Sequence, residues 1–318
     1  MERITPVSSL LQNLSGKTVI ITGGANGIGL EAVHQCHSHG ANVVIADLPG
    51  SKAAAEAVIG GLDDPSRAAF FPANVSVWED MTQLFESTVS RFGKVDVVLA
   101  NAGIMESRKF FDFEVDETGR LKEDVASTRV VDVNLKGAMN GMYHHGVSMA
   151  DLRLVFYCMY LFIQSTNMSS ALRLGVFHME HNEPDKEGWR GSVVLISSTS
   201  GYIGGTEVIS YISSKHGIIG LLRSAHQEAR RRGIRVNAVA PFITPTHITG
   251  GYSEAWREDG LPLNATADVA LSMIQLALDT QSQGRCHMVS AHFTRCPKLA
   301  FAYQDLQTRR YAEEHLER

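Results

Sequence analysis

The stretch Thr22-Gly23-Gly24-Ala25-Asn26-Gly27-Ile28-Gly29 lies between two segments of opposite pattern. Residues 18–21 before it are a short β-branched run that predicts a buried strand, and residues 30–39 after it have a helical pattern. Glycines at a strand-to-helix turn let the backbone approach a pyrophosphate, which the helix N-terminus can bind. A plain glycine turn is the alternative, but this context favours a dinucleotide site.

The rest of the chain continues to alternate between strand and helix patterns. Apolar runs that predict strands lie at residues 42–46, 68–73, 95–100, 193–196, 235–240 and 284–289. Helical patterns lie between them at residues 53–59, 78–92, 130–140, 171–179, 211–232 and 267–278. Such alternation forms a parallel sheet covered on both faces. We therefore predict an α/β fold with a single Rossmann-type, doubly wound parallel sheet flanked by helices.

We expect one dinucleotide-binding and catalytic domain over residues 1–318, with its core at about 15–290. Two stretches inside it read as irregular. Residues 106–129 are polar, with Gly119 as a turn, and residues 241–260 are a Pro/Gly/Thr-rich loop and candidate lid. Residues 292–318 read as a polar tail.

Composition and charge narrow the possible partners. The net charge of −5 and the pI near 6.2 argue against nucleic acid or an anionic membrane as an obligatory partner. The four cysteines have no CxxC spacing, so we expect free thiols, a reducing compartment such as the cytoplasm, and no metal site. Residues 1–15 show no signal-peptide pattern, and the longest apolar run, 152–163, is too short to span a bilayer.

A second motif carries candidate chemistry. Ser198 follows the buried run 193–196, and Tyr211 and Lys215 are four residues apart, which places them on one face of a helix. A nearby ammonium favours the phenolate, so Lys215 is expected to lower the Tyr211 pKa. Tyr211 would then exchange a proton with an alcohol or a carbonyl, while Ser198 holds the same oxygen. A Tyr and a Lys at this spacing also occur by chance, so the case depends on the upstream glycine turn.

Polar groups recur where predicted strands end. They are residues 23–29, Asp47, Asn74, Asn101, Ser198 and residues 241–246. Ligands of parallel sheets bind beyond the carboxyl ends of the strands, so these groups should converge on one site. Asp47 can bind adenosine ribose hydroxyls and repel a 2′-phosphate, and residues 22–29 contain no Lys or Arg; NAD is therefore favoured over NADP. The alternative for Asp47 is an ordinary strand-end turn residue.

Taken together, the motifs resemble those of the short-chain dehydrogenases/reductases over roughly residues 15–290. The resemblance rests on residues 22–29, Asn101-Ala102-Gly103, Asn134, Ser198 and Tyr211-Ile-Ser-Ser-Lys215. Among members of the family, the chain is similar to the NAD-linked 15-hydroxyprostaglandin dehydrogenase type and to polyketide- and terpenoid-tailoring enzymes. It implies Tyr211 as acid/base, Ser198 as substrate-orienting group, Lys215 on the nicotinamide ribose, and Asn134 holding a proton-relaying water. It also implies pairing into two-fold dimers or tetramers.

The combined arguments predict a set of cofactor-binding residues: Thr22, Gly23, Asn26, Gly27, Ile28, Gly29, Asp47, Leu48, Asn74, Val75, Asn101, Ala102, Gly103, Tyr211, Lys215, Ile243, Thr244 and Thr246. Three features depart from the family pattern. Asn74 replaces the usual acid after the third strand, and Phe242 replaces the usual glycine after Pro241. The interval from Asn134 to Ser198 is about thirty residues longer than is usual.

Three functions remain open at this level. The leading one is NAD-dependent oxidation of a secondary alcohol or reduction of a ketone, in secondary metabolism. The others are a nucleotide-binding relative without turnover, and a gene product impaired by its extra segment. Phe242, His247, Tyr252 and Trp256 fit a bulky, partly aromatic or lipid-like substrate, or equally a loop packed on the core.

The extra segment is residues 141–170. Joining Asn140 to Ala171 yields one amphipathic helix of ordinary length, whereas the second apolar run, 152–163, has no place in this fold. The segment is a substrate-side or membrane-contacting insertion, an extruded loop, or translated intron. We favour the intron hypothesis, because Gly-Met-Tyr at 141–143 can be encoded by a splice-donor sequence.

Deleting residues 141–170 should therefore preserve or improve solubility and activity, because no predicted catalytic residue lies there and surface insertions cost little closure entropy. Soluble yield and turnover of the two proteins measure this, and sequencing the transcript establishes the origin. A mature message with all thirty codons, together with loss of activity on deletion, would show that the segment is functional.

Overall fold

A computed structural model describes residues 8–136, 171–204 and 207–290. Within them lies one seven-stranded sheet, with every neighbouring pair parallel and the order β3-β2-β1-β4-β5-β6-β7. The strands are β1 Thr18–Thr22, β2 Asn42–Asp47, β3 Ala68–Pro72, β4 Val97–Ala100, β5 Gly191–Ile196, β6 Ile234–Pro241 and β7 Cys286–Val289. The predicted doubly wound α/β fold is confirmed.

Helices cover both faces of this sheet. In the described part of the chain they are α1 Ser8–Leu11, α2 Gly27–Ser38, α3 Lys52–Gly60, α4 Trp78–Phe92, α5 Val125–Val131, α6 Ala171–Met179, α7 Ile209–Arg231, α8 Gly250–Glu258 and α9 Thr266–Leu278. A π-helical segment, Asp132–Lys136, continues α5. No helix in the described ranges is long and apolar enough to cross a membrane.

The two cores follow from the side-chain alternation of the strands. Ile20 of β1 packs with residues of α4, α6 and α7 on one face, whereas Val19 and Ile21 pack with α2 and α9 on the other. All three side chains are fully buried, and each such burial contributes roughly 1.5–3 kcal/mol. Strands buried on both faces explain why these segments are continuous apolar runs.

The structure differs from the sequence-based prediction in two segments that were expected to be irregular. Residues 241–260 were predicted to be a loop, but α8 occupies Gly250–Glu258, because Trp256 packs edge-to-face on Phe242 with ring centroids 5.4 Å apart. Residues 106–129 contain an antiparallel bridge between Val115 and Leu121 around Gly119, and then the first residues of α5. The segments 141–170 and 292–318 lie outside the described residues.

The order in which strands are added to the sheet reverses between β1 and β4, because β2 and β3 lie on one side of β1 and β4 to β7 lie on the other. The glycine turn lies at this point. Gly23 has a φ of +66°, a conformation that favours glycine. A Cβ atom on Gly29, in the first turn of α2, would lie 2.7 Å from Asn101 Nδ2 and overlap the Gly23 carbonyl. The helix N-terminus therefore approaches β1 and β4 only because residue 29 has no side chain.

Replacing Gly29 with alanine should lower Tm and abolish dinucleotide binding, because the new methyl group displaces the turn from β4. Gly60→Ala is the matched control, since a Cβ there meets nothing within 4 Å. Differential scanning calorimetry and a fluorescence titration with NAD measure the two effects. Equal stability and binding in both variants would contradict the tight packing described for Gly29.

Candidate active site

Ser198, Tyr211 and Lys215 meet beyond the carboxyl end of β5. Ser198 lies two residues past this strand, and Tyr211 and Lys215 occupy the first two turns of α7. The Ser198 side chain is close enough to the Tyr211 hydroxyl to lower its pKa by hydrogen bonding, and Ser198 Oγ accepts the Ser200 N–H at 3.1 Å. The Lys215 ammonium lies 5.5 Å from the centre of the Tyr211 ring and donates a hydrogen bond of 3.0 Å to the Ile196 carbonyl. Lys215 and Ser198 are both buried, so the three groups form a compact site.

The electrostatics of this site differ from the sequence-based expectation. Burial raises the pKa of Tyr211, the hydrogen bond with Ser198 lowers it, and the negative charge of Glu106 raises it. The net direction is upward, although Lys215 was expected to lower it, because burial of the phenol outweighs the other effects. Burial also lowers the pKa of Lys215 to about 8, so this amine loses its proton more readily than an exposed lysine.

Asn134 connects the loop after β4 with the start of α7 through its side chain. It is buried within the π-helical segment, a geometry frequent at functional sites. Its Oδ1 accepts the Ile104 N–H at 2.7 Å, and its Nδ2 donates to the Ile104 carbonyl at 2.8 Å and to Ser214 Oγ at 3.1 Å. Ser214 Oγ in turn donates to the Tyr211 carbonyl at 2.7 Å. The side chain of Asn134 therefore fixes the backbone around Tyr211.

The glycine turn is joined to the end of β4. Thr22 Oγ1 accepts hydrogen bonds from the backbone N–H groups of Asn101 and Ala102 at 3.0 and 3.1 Å. Asn101 Nδ2 donates to the carbonyls of Thr22 and Gly23 at 3.1 and 3.2 Å. Asn101, predicted as a cofactor-binding residue, thus has a structural role at this edge of the sheet.

The predicted segment after β6 lies directly on this turn. A Cβ on Gly27, whose φ is +55°, would be 3.1 Å from Thr246 Cγ2. Thr244 and Thr246 are tied by Thr249, which donates to the Thr244 carbonyl at 2.6 Å and accepts from the Thr246 N–H at 3.1 Å. Buried Asn264 donates to Thr244 Oγ1 at 3.2 Å. Ile243 immediately precedes Thr244 in this segment. The segment packs against one side of the glycine turn through Thr246.

Asp47 ends β2 beside the glycine turn. Its Oδ2 accepts the Ala25 N–H at 3.1 Å, and its Oδ1 accepts the Leu48 N–H at 2.8 Å and Ser51 Oγ at 3.1 Å. The carboxylate is only partly buried, and Leu48 beside it is 48% exposed. An acid held at this position, together with an α2 N-terminus approached through glycines, fits the adenosine ribose and pyrophosphate of a dinucleotide.

The remaining predicted cofactor residues surround the same edge. Asn26 precedes α2 and is exposed, and Ile28 packs on the core. Asn74 Oδ1 accepts hydrogen bonds from the Ser76 N–H and hydroxyl, and Val75 is buried. A Cβ on Gly103 would lie 3.2 Å from Asn134 Oδ1 and 3.6 Å from Lys215 Nζ. Gly103 therefore lies against Asn134 and Lys215, directly after the Asn101-Ala102 pair that bonds to Thr22.

Three residues of this site were missed by sequence reasoning: Glu106, Ser214 and Asn264. Ser214 lies within the Tyr-Ile-Ser-Ser-Lys motif, so its i+3 spacing from Tyr211 was available as a signal. Glu106 was hidden within a charged surface stretch, and its contact with Tyr211 spans 105 residues. No local pattern identifies such a contact.

Comparison with known proteins identifies the family. The family model for short chain dehydrogenases matches residues 17–151 and 164–256. The break at 152–163 falls within the stretch 141–170, whose status as an insertion stays a prediction.

Several curated relatives align over most of their own length. Short-chain dehydrogenase reductase 4 of Arabidopsis thaliana is 34% identical over 78% of this chain and 68% of its own. Xanthoxin dehydrogenase of Arabidopsis thaliana is 30% identical over 84% and 81%, and short-chain dehydrogenase/reductase prx4 of Penicillium roqueforti is 31% identical over 85% and 68%.

Solved structures share the fold. A 3-hydroxyacyl-CoA dehydrogenase type-2 from Mycobacterium avium superposes with a TM-score of 0.66 at 24% identity, covering 86% of this chain and 94% of that one. A 3-ketoacyl-(acyl-carrier-protein) reductase from Brucella melitensis, complexed with NADH, has a TM-score of 0.66 at 24% identity, with 87% and 97% covered. The chain belongs to the short-chain dehydrogenase/reductase family, oxidoreductases that act on CH–OH groups with NAD or NADP.

Proposed function

We propose that this protein is an NAD-preferring enzyme that interconverts a secondary alcohol and its ketone. The observation that carries the proposal is the gathering of Ser198, Tyr211 and Lys215 beyond β5, beside the glycine turn that ends β1. A nucleotide-binding protein without turnover has no need for a tyrosine, a serine and a buried lysine in contact at this position.

The side chains divide the work as follows. Ser198 holds the substrate oxygen, and Tyr211 takes the alcohol proton or donates one to the carbonyl. Lys215, one helical turn after Tyr211, would hold the nicotinamide ribose, with Gly23, Gly27 and Asp47 toward the pyrophosphate and adenosine. When bound, the dinucleotide supplies the hydride exchange. Asn134 keeps the loop after β4 and the start of α7 at a fixed separation.

Asp47 supports the preference for NAD. Its carboxylate is held at the end of β2 by Ala25 and Ser51, where it would accept ribose hydroxyls and repel a 2′-phosphate. The nearby base Lys52 is exposed and lies 3.7 Å from Glu56. Lys52 therefore takes part in an exposed ion pair on the surface of α3, and it does not offset the preference for NAD that Asp47 supports.

Apolar groups near the site favour a bulky substrate, as in secondary metabolism. Phe110, Phe111 and Phe113 form an edge-to-face row with centroids 5.2 and 6.0 Å apart, and they are 38%, 66% and 68% exposed. Lys109, beside them, bonds to Glu207 at 2.8 Å, just before α7. The row lies on the loop after β4, whose Glu106 accepts the Tyr211 N–H, and exposed apolar patches of this kind often mark ligand-binding surfaces. Phe242 and Trp256 pack on each other, so the row after β4 is the stronger support.

We also propose that the enzyme is cytoplasmic, and that it forms a two-fold dimer or tetramer as its family resemblance implies. Cys36 and Cys286 are free thiols, in keeping with a reducing compartment.

Replacing Tyr211 with phenylalanine should lower kcat/KM by roughly 10²–10⁴-fold, since the change removes the transferable proton but keeps the ring. NAD affinity should remain close to that of the wild type. Tyr202→Phe is the matched control, because the pKa of Tyr202 is shifted by Cys286 of β7 and by burial, so this phenol has surroundings different from those of Tyr211. Absorbance of the reduced cofactor, followed with a panel of secondary alcohols, measures the rates. Near-normal turnover in Tyr211→Phe would exclude the proposed mechanism.

Replacing Asp47 with alanine should weaken NAD binding and relax discrimination against NADP, because both the ribose acceptor and the negative charge are lost. Asp47→Asn separates the two contributions, since the amide oxygen still accepts a hydrogen bond while the charge is gone. Side-by-side Michaelis measurements with both cofactors provide the test. A wild-type preference for NADP would show that the interpretation of Asp47 is wrong.

A further inference from the structure

Residues 110–125, which follow β4 and end at the first residue of α5, form an arm that exposes apolar side chains to solvent. Nine large apolar residues are exposed in the described part of the chain, and six of them lie in this apolar arm. The six are Phe110, Phe111, Phe113, Val115, Leu121 and Val125. Single exposed apolar residues are common in proteins, but a contiguous group marks a surface that binds a ligand or a partner.

Apolar and acidic side chains alternate along the first half of the apolar arm. Phe111, Phe113 and Val115 occupy every second position, with Asp112, Glu114 and Asp116 between and after them. Val115 pairs with Leu121 in an antiparallel bridge, and the rings of Phe111 and Phe113 are in edge-to-face contact, 6.0 Å apart. Alternate residues of an extended chain point to opposite sides. The arm therefore has one apolar face and an acidic back.

The apolar arm begins beside the catalytic helix. Glu106 Oε1 accepts a hydrogen bond from the Tyr211 backbone N–H at 2.9 Å. Lys109 Nζ lies 2.8 Å from Glu207 Oε2, two residues before α7. Phe110 follows Lys109 directly, and four residues of chain span at most about 14 Å, so Phe110 lies within that distance of Glu106. The apolar face thus starts next to the amino end of the helix that bears Tyr211.

The helix α8 approaches the same place. The hydrogen bond with Glu207 raises the pKa of Lys109, and the phenol of Tyr252 in α8 lies close enough to add to this effect. Tyr252 is itself 55% exposed. Trp256 holds α8 in position, because its ring packs on Phe242 and its Nε1 donates to the Pro262 carbonyl at 3.1 Å. The arm, the start of α7 and α8 therefore meet at the edge of the sheet where the predicted catalytic residues lie.

The charges of this segment restrict what the apolar face can bind. Residues 106–125 contain seven acidic and four basic side chains, a net charge of −3. An anionic membrane surface, or a substrate joined to a phosphate-bearing carrier, is repelled by such a charge. A neutral apolar molecule meets no repulsion and removes the exposed rings from water. The charge and the continuity with the catalytic helix both favour a neutral small molecule.

We propose that the apolar face of this arm is a second part of the substrate site, which binds the apolar tail of a neutral ketone or alcohol that carries no CoA or carrier-protein group. The proposal rests on the proposed function, and it names the class of substrate and the residues that select it. The reacting oxygen lies at Ser198 and Tyr211, and the tail extends past Lys109 onto Phe111 and Phe113. Long apolar alcohols are therefore better substrates than short ones.

Dye binding tests the face without any turnover. Nile red is uncharged, and its fluorescence rises in apolar surroundings. The double variant Phe111→Ser/Phe113→Ser should bind it at least about tenfold more weakly than the wild type, because two rings that are 66% and 68% exposed are lost. Neither ring belongs to the two cores, so the Tm of the variant should stay close to that of the wild type.

Phe177→Ser is the matched control. This phenylalanine is also exposed, at 54%, but it lies in α6, which leads into the amino end of β5 at the opposite edge of the sheet. Its loss should leave the dye affinity unchanged. Phe111→Leu/Phe113→Leu should retain most of the affinity, since leucine keeps an apolar surface at both positions. An equal loss in Phe177→Ser, or no loss in the serine double variant, would overturn the proposal.

Substrate preference is the second measurement. The ratio of kcat/KM for undecan-2-ol to that for butan-2-ol, with NAD as cofactor, should fall about tenfold in Phe111→Ser/Phe113→Ser and stay constant in Phe177→Ser. In the wild type, undecan-2-ol should be used better than the CoA thioester of 3-hydroxydecanoic acid. A preference for the thioester, or an unchanged ratio in the serine double variant, would contradict the proposed substrate class.

Light scattering and sedimentation with phosphatidylcholine vesicles examine the other occupants. A serine double variant that loses self-association or vesicle binding, with its substrate ratio unchanged, would assign the face to a second copy of the chain or to a membrane, and would overturn the proposal. Failure of the proposed function is distinguishable, because it appears as absence of turnover with every secondary alcohol in the wild type. The dye titration still reports on the apolar face in that case.

Discussion

The hydrogen bonds of Asn101 to the carbonyls of Thr22 and Gly23 are the interaction on which the rest of the site depends. They join β1 and β4 at the point where the strand order reverses, which is where a parallel sheet opens a crevice. Without a Cβ atom at residue 29, the N-terminus of α2 packs directly on this junction. Everything beyond β4, including the loop that reaches Tyr211, is placed relative to it.

A second set of contacts connects this junction with the catalytic helix. Asn134 binds the backbone of Ile104 on one side and Ser214 on the other. Lys215 meanwhile anchors α7 to the end of β5 through the Ile196 carbonyl. The helix bearing Tyr211 is thus held by two neighbouring strands through buried polar bonds. Such bonds are directional, and loss of one partner leaves a buried group unsatisfied. The directionality of these buried hydrogen bonds restricts the side chains of the site to one arrangement.

The buried environment also determines the electrostatics. A phenol and an amine removed from water both favour their neutral forms, so burial raises the pKa of Tyr211 and lowers that of Lys215. The expectation that Lys215 would lower the Tyr211 pKa considered the charge of Lys215 and not the burial of the phenol. Glu106 adds to the upward shift from outside the motif. The chemistry of the motif is therefore set as much by its surroundings as by its own residues.

The sequence by itself determined the order of strands and helices, the glycine turn, and the Ser198, Tyr211 and Lys215 positions, because these follow from local periodicity and short spacings. It also placed Asp47, Asn74 and Asn101 at strand ends. Tertiary structure alone decided that Gly250–Glu258 is a helix, since packing of Trp256 on Phe242 outweighs two glycines at its start. It alone decided that Glu106 meets Tyr211, because a contact between residues 105 apart is created by the parallel alignment of β4 and β5 and has no local signature.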